Sequence, residues 1–326
     1  MPEPLLEIRN LRVYFPIRKR LSKPIYVKAV DDVTLSLNEA ETVAVVGESG
    51  SGKTTLGKCC LRLIEPHSGH ILYNGKEITG LKPKELKWYR KEAQIVYQDP
   101  FSSLNPFFTI RRTIEEPLMI HGVQSALERE KRVEAALEDV KLTPIASFAD
   151  KYPHMLSGGQ RQRVAIARAM ILNPRFVVAD EPVSMLDASV RVEILYLLRQ
   201  LQEEHRISFL YITHDIATVK YFSERIAIMY AGKLVELGPI REVISEPLHP
   251  YTQALIEAIP DPDPQNRFTL RKVPGGEPPD PSDPPIGCRF DTRCPGAKPE
   301  CQSGEPPLRE VKPGRFVACF SSTTHP

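Results

Sequence analysis

Apolar and polar side chains alternate near the start of the chain, as they do in a β-strand with one buried face. The alternation runs through residues 6–14 and slips by one position at Asn10, which indicates a β-bulge. Residues 27–37 form a second strand region. Apolar runs predict further strands at residues 41–46, 93–97, 175–180 and 207–213.

Helical patterns lie between these strands. Apolar residues recur at about 3.6-residue spacing through residues 126–140, and residues 158–172 are typical of a helix. Asp187 is a good N-cap for an amphipathic helix that runs to about residue 204, and another helix is expected from Lys53. Strands that alternate with helices predict an α/β protein with a mostly parallel core sheet.

Composition narrows the class of protein. With 326 residues, the chain is long enough for one large α/β domain and an appendage. Its 43 Lys and Arg nearly balance its 41 Asp and Glu, whereas nucleic-acid binding would favour a clustered basic excess, so no nucleic-acid partner is expected. We find no apolar run long enough to cross a bilayer and no signal-peptide pattern, so we expect a cytosolic protein that other chains would anchor at a membrane.

The composition changes beyond Glu246. Seventeen of the 31 prolines lie between Pro247 and Pro326. Because proline lacks a backbone N–H, we expect this tail not to be mainly helix or sheet interior, and to be held by something other than a conventional core. We therefore predict a main domain over residues 1–246 and a Pro-rich tail over residues 247–326.

Residues 47–54 match the phosphate-binding loop pattern G-x-x-x-x-G-K-[ST] in full. Such a loop binds a nucleoside triphosphate, because its glycines let backbone N–H groups converge on phosphate oxygens at the positive end of a helix. We expect Lys53 to reach the β- and γ-phosphates and the Thr54 hydroxyl to ligate Mg²⁺. The predicted nucleotide-binding residues of the loop are Gly47, Ser49, Gly50, Ser51, Gly52, Lys53, Thr54 and Thr55.

Polar side chains follow the later apolar strands. Asp180 ends the strand at residues 175–180 and is predicted to hold Mg²⁺, with Glu181 directly after it. Gln98 follows one of the other strands, and His214 follows another. These positions favour a catalytic edge of the sheet over four isolated surface residues.

The pentapeptide Leu-Ser-Gly-Gly-Gln at residues 156–160 opens a predicted helix and is suited to cradle a phosphate. The phosphate-binding loop, this pentapeptide and Asp180-Glu181, in this order and at this spacing, resemble the ATP-binding cassette (ABC) family. Two ABC subunits clamp ATP between them. The resemblance covers residues 5 to about 240.

The ABC resemblance implies a role for each polar residue. Glu181 would be the general base that polarises the attacking water, and Gln98 would touch Mg²⁺ and that water. His214 would hydrogen-bond the γ-phosphate. Tyr14 resembles the aromatic residue that stacks on adenine.

The resemblance also implies how two subunits meet. Ser157, Gly158, Gly159 and Gln160 of one subunit would complete the nucleotide site of the other. Asp187 belongs to the D-loop at residues 184–187, which crosses that interface.

The implied fold is a P-loop NTPase of the ABC type, with an antiparallel β subdomain and a helical subdomain at about residues 98–172. Ala40 stands where glycine usually precedes the phosphate-loop strand, and Met185 stands where alanine is common. Neither change removes a functional group, so active ATP hydrolysis is expected.

Residues 46–53, 98–106 and 246–255 further resemble the oligopeptide/dipeptide importer ATPases. The implied function is ATP hydrolysis that powers oligopeptide or dipeptide import at the cytoplasmic face of the membrane. The implied partners are a second ATPase subunit, identical or paralogous, two transmembrane permease subunits and an extracellular solute-binding protein. Import of an oligosaccharide or nickel is an alternative, and a soluble ABC ATPase is another.

Four cysteines in the tail form the pattern C-x₅-C-x₆-C-x₁₇-C. Four thiolates suit either Zn²⁺ or an iron–sulfur cluster, and clustered cysteines in a cytosolic chain favour metal binding over disulfides. The tail resembles that of peptide-importer ATPases with a [4Fe–4S] cluster, so we expect that cluster as a structural staple. Zinc, disulfides and unligated thiols are the alternatives. The predicted ligands are Cys288, Cys294, Cys301 and Cys319.

Overall fold

The computed structural model describes residues 3–17, 24–259 and 275–321. Its strands are β1 (Leu6–Ile17), β2 (Ile25–Leu37), β3 (Thr42–Val46), β4 (Ser68–Tyr73), β5 (Lys76–Glu77), β6 (Ala93–Val96), β7 (Phe176–Asp180), β8 (Ser208–Thr213), β9 (Arg225–Tyr230), β10 (Lys233–Pro239), β11 (Arg309–Lys312) and β12 (Arg315–Val317). Its helices are α1 (Lys53–Cys60), α2 (Tyr89–Glu92), α3 (Pro100–Ser103), α4 (Ile110–Ile120), α5 (Ala126–Asp139), α6 (Gly158–Met170), α7 (Ala188–His205), α8 (Ile216–Val219), α9 (Ile240–Ser245), α10 (Pro250–Glu257) and α11 (Pro299–Ser303).

The chain divides into two compact units. The first unit comprises Met1–Ser36, Val43–Thr79 and Thr213–Pro326, and the second comprises Leu37–Thr42 and Gly80–Ile212. The domain boundaries predicted from the sequence stay predictions. None of the helices in the described ranges combines the length and the apolar character that crossing a bilayer requires.

One sheet of the first unit has the strand order β2-β1-β4-β5. β1 runs antiparallel to β4, and their register shifts between Arg9 and Arg12. Asn10, between those positions, has a φ of 49°, a left-handed conformation that asparagine tolerates better than most residues. The bulge predicted at Asn10 is therefore confirmed.

The other sheet portion of the first unit begins with β3, all of whose residues are buried. β3 runs parallel to β9, which is antiparallel to β10. β12 then pairs with β10, and β11 with β12, both antiparallel. The proline-rich tail thus adds two strands to this sheet, which its composition did not predict. Pro313 and Gly314, the latter at φ 74°, lie between the two strands, so proline here marks the turn.

A buried ion pair ties the tail to this sheet. Arg315 of β12 and Glu236 of β10 have fully buried side chains, and Arg315 Nη2 donates to Glu236 Oε1 at 3.0 Å. Glu236 also accepts the backbone N–H groups of Leu248 and His249. Removing one partner of this buried pair would leave an uncompensated charge in the sheet.

The second unit has a parallel sheet portion in which β7 pairs with β6 and with β8. β7 is buried along its whole length, and helices α3, α4 and α5 contact α6. Parallel strand pairs in a unit that also contains helices confirm the predicted α/β class.

Ala40 shows why glycine is common at its position. Its φ of 54° lies in the left-handed region, where a side chain is disfavoured. Two hydrogen bonds hold the alanine there: its N–H donates to Ser208 Oγ at 2.8 Å, and its carbonyl accepts Gln202 Nε2 at 3.0 Å. These bonds offset part of the backbone strain.

Candidate active site

The phosphate-binding loop connects β3 to α1 in the first unit. A Cβ atom on Gly47 would lie 2.0 Å from the Met229 carbonyl oxygen, and one on Gly52 would lie 2.0 Å from that of Ala29. Gly52 also has a φ of +101° as the N-cap of α1. These two positions therefore require glycine, because the loop packs directly against neighbouring backbone.

Lys53, the first residue of α1, directs its ammonium into the loop. Its Nζ donates to the carbonyl oxygens of Gly47 and Glu48, both at 2.8 Å, and the residue is only 6% exposed. A cation and a helix N-terminus thus coincide in one glycine-rich loop, which is the arrangement that binds phosphate. Of the other predicted loop residues, Ser51 is buried, Ser49 and Gly50 are exposed, and Thr54 and Thr55 are half-buried.

Tyr14 lies on β1 in the same unit. Its hydroxyl donates to Asp31 Oδ1 at 2.5 Å, and its ring stacks on His67 with centroids 4.9 Å apart. Burial, followed by the bond to Asp31, raises the pKa of Tyr14. The predicted contact with adenine stays a prediction.

His214 directly follows β8 and is exposed. The same unit therefore contains this histidine and the phosphate-binding loop. Its predicted bond to the γ-phosphate stays a prediction.

Gln98 and Glu181 come together in the second unit. Gln98 lies just beyond β6, and its Nε2 donates to Glu181 Oε2 at 3.1 Å. Asp180, the last residue of β7, is 5% exposed. Two predicted catalytic residues, distant in sequence, thus share a hydrogen bond beside the predicted Mg²⁺ ligand.

The backbone at Glu181 is strained. Its φ is 46°, which is unusual for a residue with a side chain. Its N–H donates to the Ile212 carbonyl at 2.9 Å, and its own carbonyl accepts the Ser184 hydroxyl at 3.1 Å. Such over-determined strain is typical of functional sites.

The Leu-Ser-Gly-Gly-Gln pentapeptide forms the N-terminus of α6. Ser157 is the N-cap, and it forms a capping box with Gln160: the Ser157 hydroxyl accepts the Gln160 N–H, and the Gln160 side chain accepts the Ser157 N–H. A Cβ on Gly158 would make only an ordinary contact, 3.6 Å from Leu186. Gly159 is tighter, with Val190 at 2.6 Å, but there the neighbour is a side chain that can move.

Asp187 is the N-cap residue of α7, as predicted, although its side chain makes no capping hydrogen bond. The residue before it, Leu186, is the one that approaches Gly158. The D-loop and the pentapeptide are therefore neighbours within the second unit.

The four tail cysteines line one small cavity together with His249 and Phe290. None of the four forms a disulfide with another described residue. Burial, with smaller contributions from the other three thiols, raises the pKa of Cys288 to about 11. Within the described part of the chain, however, no group of three or more His, Cys, Asp or Glu side chains is arranged to hold a metal ion. The predicted cluster therefore stays a prediction.

A larger cavity of about 660 Å³ adjoins this small cavity in the first unit, between β1, β2, β10 and the tail, and shares the lining residues His249, Cys288 and Phe290. None of the phosphate-loop residues lines it. Of its cationic lining residues Arg225, Lys233 and Arg289, Lys233 pairs with Glu305 at 2.7 Å and with Asp31 at 3.6 Å. The cavity therefore offers no catalytic arrangement.

Known proteins share both the motifs and the tail. Residues 30–184 match the ABC transporter family, and residues 235–301 match the oligopeptide/dipeptide transporter C-terminal region. The chain is 47% identical over 323 residues to the oligopeptide transport ATP-binding protein AppF of Bacillus subtilis, covering 97% of each chain. It belongs to the ATP-binding subunits of the oligopeptide ABC transporters. OppF of Escherichia coli is 46% identical over 311 residues, covering 93% of this chain and 92% of OppF.

A solved structure agrees with this ABC subunit fold. The ATP-binding cassette MJ0796, as a dimer in a post-hydrolysis state bound to ADP and Pi, superposes with a TM-score of 0.64 at 33% identity. The match covers 72% of this chain and 99% of that one. The predicted P-loop NTPase fold is confirmed, and the ABC subunit is an ATPase that binds ATP.

Three contacts of this ABC subunit's phosphate loop were not predicted. Glu48 donates its N–H to the Tyr251 hydroxyl oxygen at 2.9 Å, and its carboxylate accepts both Nη groups of Arg293 at 3.0 and 3.2 Å. Gly232 donates its N–H to the Ser51 carbonyl at 2.9 Å. The one available signal was Tyr251 itself, inside the stretch at residues 246–255 that resembles the peptide importers.

Proposed function

We propose that this subunit hydrolyses ATP to power the import of oligopeptides or dipeptides across the cytoplasmic membrane. The Gln98–Glu181 hydrogen bond at 3.1 Å carries the catalytic part of the proposal, because it presents a carboxylate beside an amide that can orient water. The names of the relatives AppF and OppF support the peptide part.

The proposed catalytic cycle begins at the phosphate-binding loop. Its backbone N–H groups and Lys53 bind the phosphates, and the cation offsets charge on the β- and γ-phosphates. Glu181 then accepts a proton from the water that attacks the γ-phosphate, while Gln98 orients that water. His214 is the proposed hydrogen-bond donor to the γ-phosphate.

Magnesium fits the side chains available. Thr54 offers a hydroxyl oxygen, Gln98 an amide oxygen and Asp180 a carboxylate, and oxygen donors are the ligands that Mg²⁺ prefers. When bound, the ion neutralises phosphate charge.

The proposed partners follow from the pentapeptide. Ser157 and the two glycines after it form an accessible helix N-terminus that suits a phosphate, and the solved relative MJ0796 is a dimer. We propose that a second ATPase subunit receives this helix end at its own nucleotide. Two permease subunits and an extracellular solute-binding protein complete the proposed transporter, which places this subunit at the cytoplasmic face of the membrane.

The [4Fe–4S] cluster stays part of the proposal as a staple for the tail. The convergence of the four thiols on one cavity supports it, although their present arrangement is not one that holds a metal. Metal and sulfide analysis of anaerobically purified protein tests it, with about four irons per chain expected. Stoichiometric zinc, or thiols that all react with an alkylating reagent, would contradict it.

Glu181→Gln tests the proposed catalysis. It should lower ATP turnover by about 10²- to 10⁴-fold and abolish uptake of labelled peptides by the reconstituted transporter, while fluorescent-ATP titration shows retained binding. Turnover within about twofold of wild type would exclude Glu181 as the base. Uptake of an oligosaccharide or nickel, without uptake of peptides, would contradict the proposed substrate class.

A further inference from the structure

The proline-rich tail contacts the phosphate-binding loop at Glu48. All three polar groups of Glu48 have partners in the first unit. Its N–H donates to Tyr251 Oη, its carbonyl accepts Lys53 Nζ at 2.8 Å, and its carboxylate pairs with Arg293. The Gly47–Glu48 peptide group is held on both sides, because its N–H donates to the tail hydroxyl of Tyr251 and its carbonyl, that of Gly47, accepts Lys53 Nζ at 2.8 Å.

The Arg293 contact has the geometry of a strong ion pair. Both Nη groups of Arg293 donate to the two carboxylate oxygens of Glu48. Bidentate pairs of this kind fix the orientation of the two side chains as well as pairing their charges. The Arg293 side chain is only 8% exposed, against 32% for Glu48. Hydrogen bonding to Glu48 is the main cause that raises the pKa of Arg293.

Arg293 has little else to compensate its charge. It donates to the Tyr230 hydroxyl at 3.2 Å and lies over the Tyr230 and Phe290 rings, 5.7 Å from each centroid. Among the residues that the structure describes, Glu48 is the carboxylate within ion-pair distance, and the buried Arg293 Nε–H has no hydrogen-bond partner. The pair is therefore the dominant polar interaction of this side chain.

Tyr251 provides a second fixed contact. It is 1% exposed at the start of α10, and its ring packs on Tyr230 with centroids 4.5 Å apart. His249 caps that helix by accepting the Tyr251 N–H at 3.0 Å. The hydroxyl that receives the Glu48 N–H is thus held by a buried aromatic cluster and by a capped helix.

We propose that Arg293 and Tyr251 are positioning residues for the phosphate-binding loop. They hold the Gly47–Glu48 peptide group in the orientation on which Lys53 depends. Arg293 also neutralises a carboxylate that would otherwise repel a triphosphate bound in the same loop. The tail therefore sets the affinity of the loop for nucleotide, and this role rests on the ATPase activity without depending on the transported solute.

The expected kinetic effect lies in KM. A loop that is only partly in its binding conformation binds ATP more weakly in proportion to the lost population, but once ATP is bound the chemistry is unchanged. Arg293→Met should raise both the Kd and the KM for ATP about five- to tenfold, with kcat within about twofold of wild type. Arg293→Lys should raise Kd and KM by less than Arg293→Met does, because an ammonium cannot reproduce the bidentate pair.

Two further variants separate positioning from general stability. Adding Glu48→Gln to Arg293→Met should recover part of the lost affinity, because the unpaired carboxylate is then gone. Tyr251→Phe, which removes the acceptor and keeps the ring, should raise KM about two- to threefold. Lys312→Met is the matched control, since it removes an exposed tail ion pair with Glu246, 3.0 Å long, that does not touch the loop.

Steady-state ATPase assays, fluorescent-ATP titration and thermal unfolding of the full-length variants decide the matter. The proposal is overturned if Arg293→Met lowers the Tm but leaves KM and Kd at wild-type values, or if Glu48→Gln recovers nothing. Should Arg293→Met not fold, Arg293→Lys and Tyr251→Phe carry the same test. Failure of the wild-type chain to hydrolyse ATP would instead contradict the ATPase itself.

Discussion

Two glycine-rich segments of this protein open helices and suit phosphate, but they are supported in different ways. The phosphate-binding loop packs against the backbone at Ala29 and Met229, and the tail holds it at Glu48. The pentapeptide at α6 is held mainly by its own capping box between Ser157 and Gln160. The hydrogen bonds that hold the first segment reach distant parts of the chain, whereas those that hold the second are local.

This difference has a functional meaning. A preorganised loop with a buried lysine can bind nucleotide within one chain, because the conformational entropy of the loop is already lost when the chain folds. The pentapeptide differs, because the nearby Arg161 donates to the Leu156 carbonyl at 3.0 Å and lies over the Phe101 ring. Such a self-capped helix end is better suited to add to a nucleotide that is already bound elsewhere. The comparison therefore favours one primary phosphate site per chain and one auxiliary site offered to a partner.

Arg315→Met should break the long-range support most severely. It leaves the fully buried Glu236 without its cation, which should cost about 3–5 kcal/mol of unfolding free energy. If the tail undocks, ATP affinity should fall as well. Chemical denaturation measures the first effect and nucleotide titration the second. Lys312→Met, at the exposed pair with Glu246, should cost at most about 1 kcal/mol of unfolding free energy. Equal losses of unfolding free energy in the two variants would contradict the assigned role of the buried Arg315–Glu236 pair.

Gly52→Ala and Gly158→Ala should affect ATP binding differently in the two segments. The Cβ added by Gly52→Ala would meet the Ala29 carbonyl at 2.0 Å, and the φ of +101° disfavours a side chain. ATP affinity should therefore fall about a hundredfold, a loss of about 3 kcal/mol of binding free energy. Gly158→Ala, which meets only Leu186 at 3.6 Å, should leave the ATP affinity of the isolated chain unchanged. Fluorescent-ATP titration measures the ATP affinity of both variants. Equal losses of ATP affinity would contradict the proposed difference between the two segments.

Local patterns predicted much of the fold. The strand of residues 41–46, the helix from Lys53 and the helix N-cap at Asp187 all follow from short-range periodicity and capping, and all are present. The bulge at Asn10 was visible as a slip in alternation. Each of these features depends on neighbours along the chain, which is the information that a single sequence carries best.

Long-range contacts could not be predicted in the same way. Glu48 and Arg293 are 245 positions apart, and a glutamate or an arginine in a sequence does not indicate which residue it will pair with. The strands β11 and β12 were missed because their proline-rich surroundings argue against sheet, although the buried Arg315–Glu236 pair supports them. The Gln98–Glu181 contact was anticipated only through the resemblance to the ABC family.

The direct test of the account is whether ATP drives two chains together through the pentapeptide. Sedimentation velocity of the Glu181→Gln protein should show a monomer without nucleotide and a doubled mass with MgATP. The same protein carrying Ser157→Arg should bind ATP at the phosphate-binding loop and remain a monomer. A Glu181→Gln protein that stays monomeric with ATP bound, or that doubles its mass regardless of Ser157, would contradict the account.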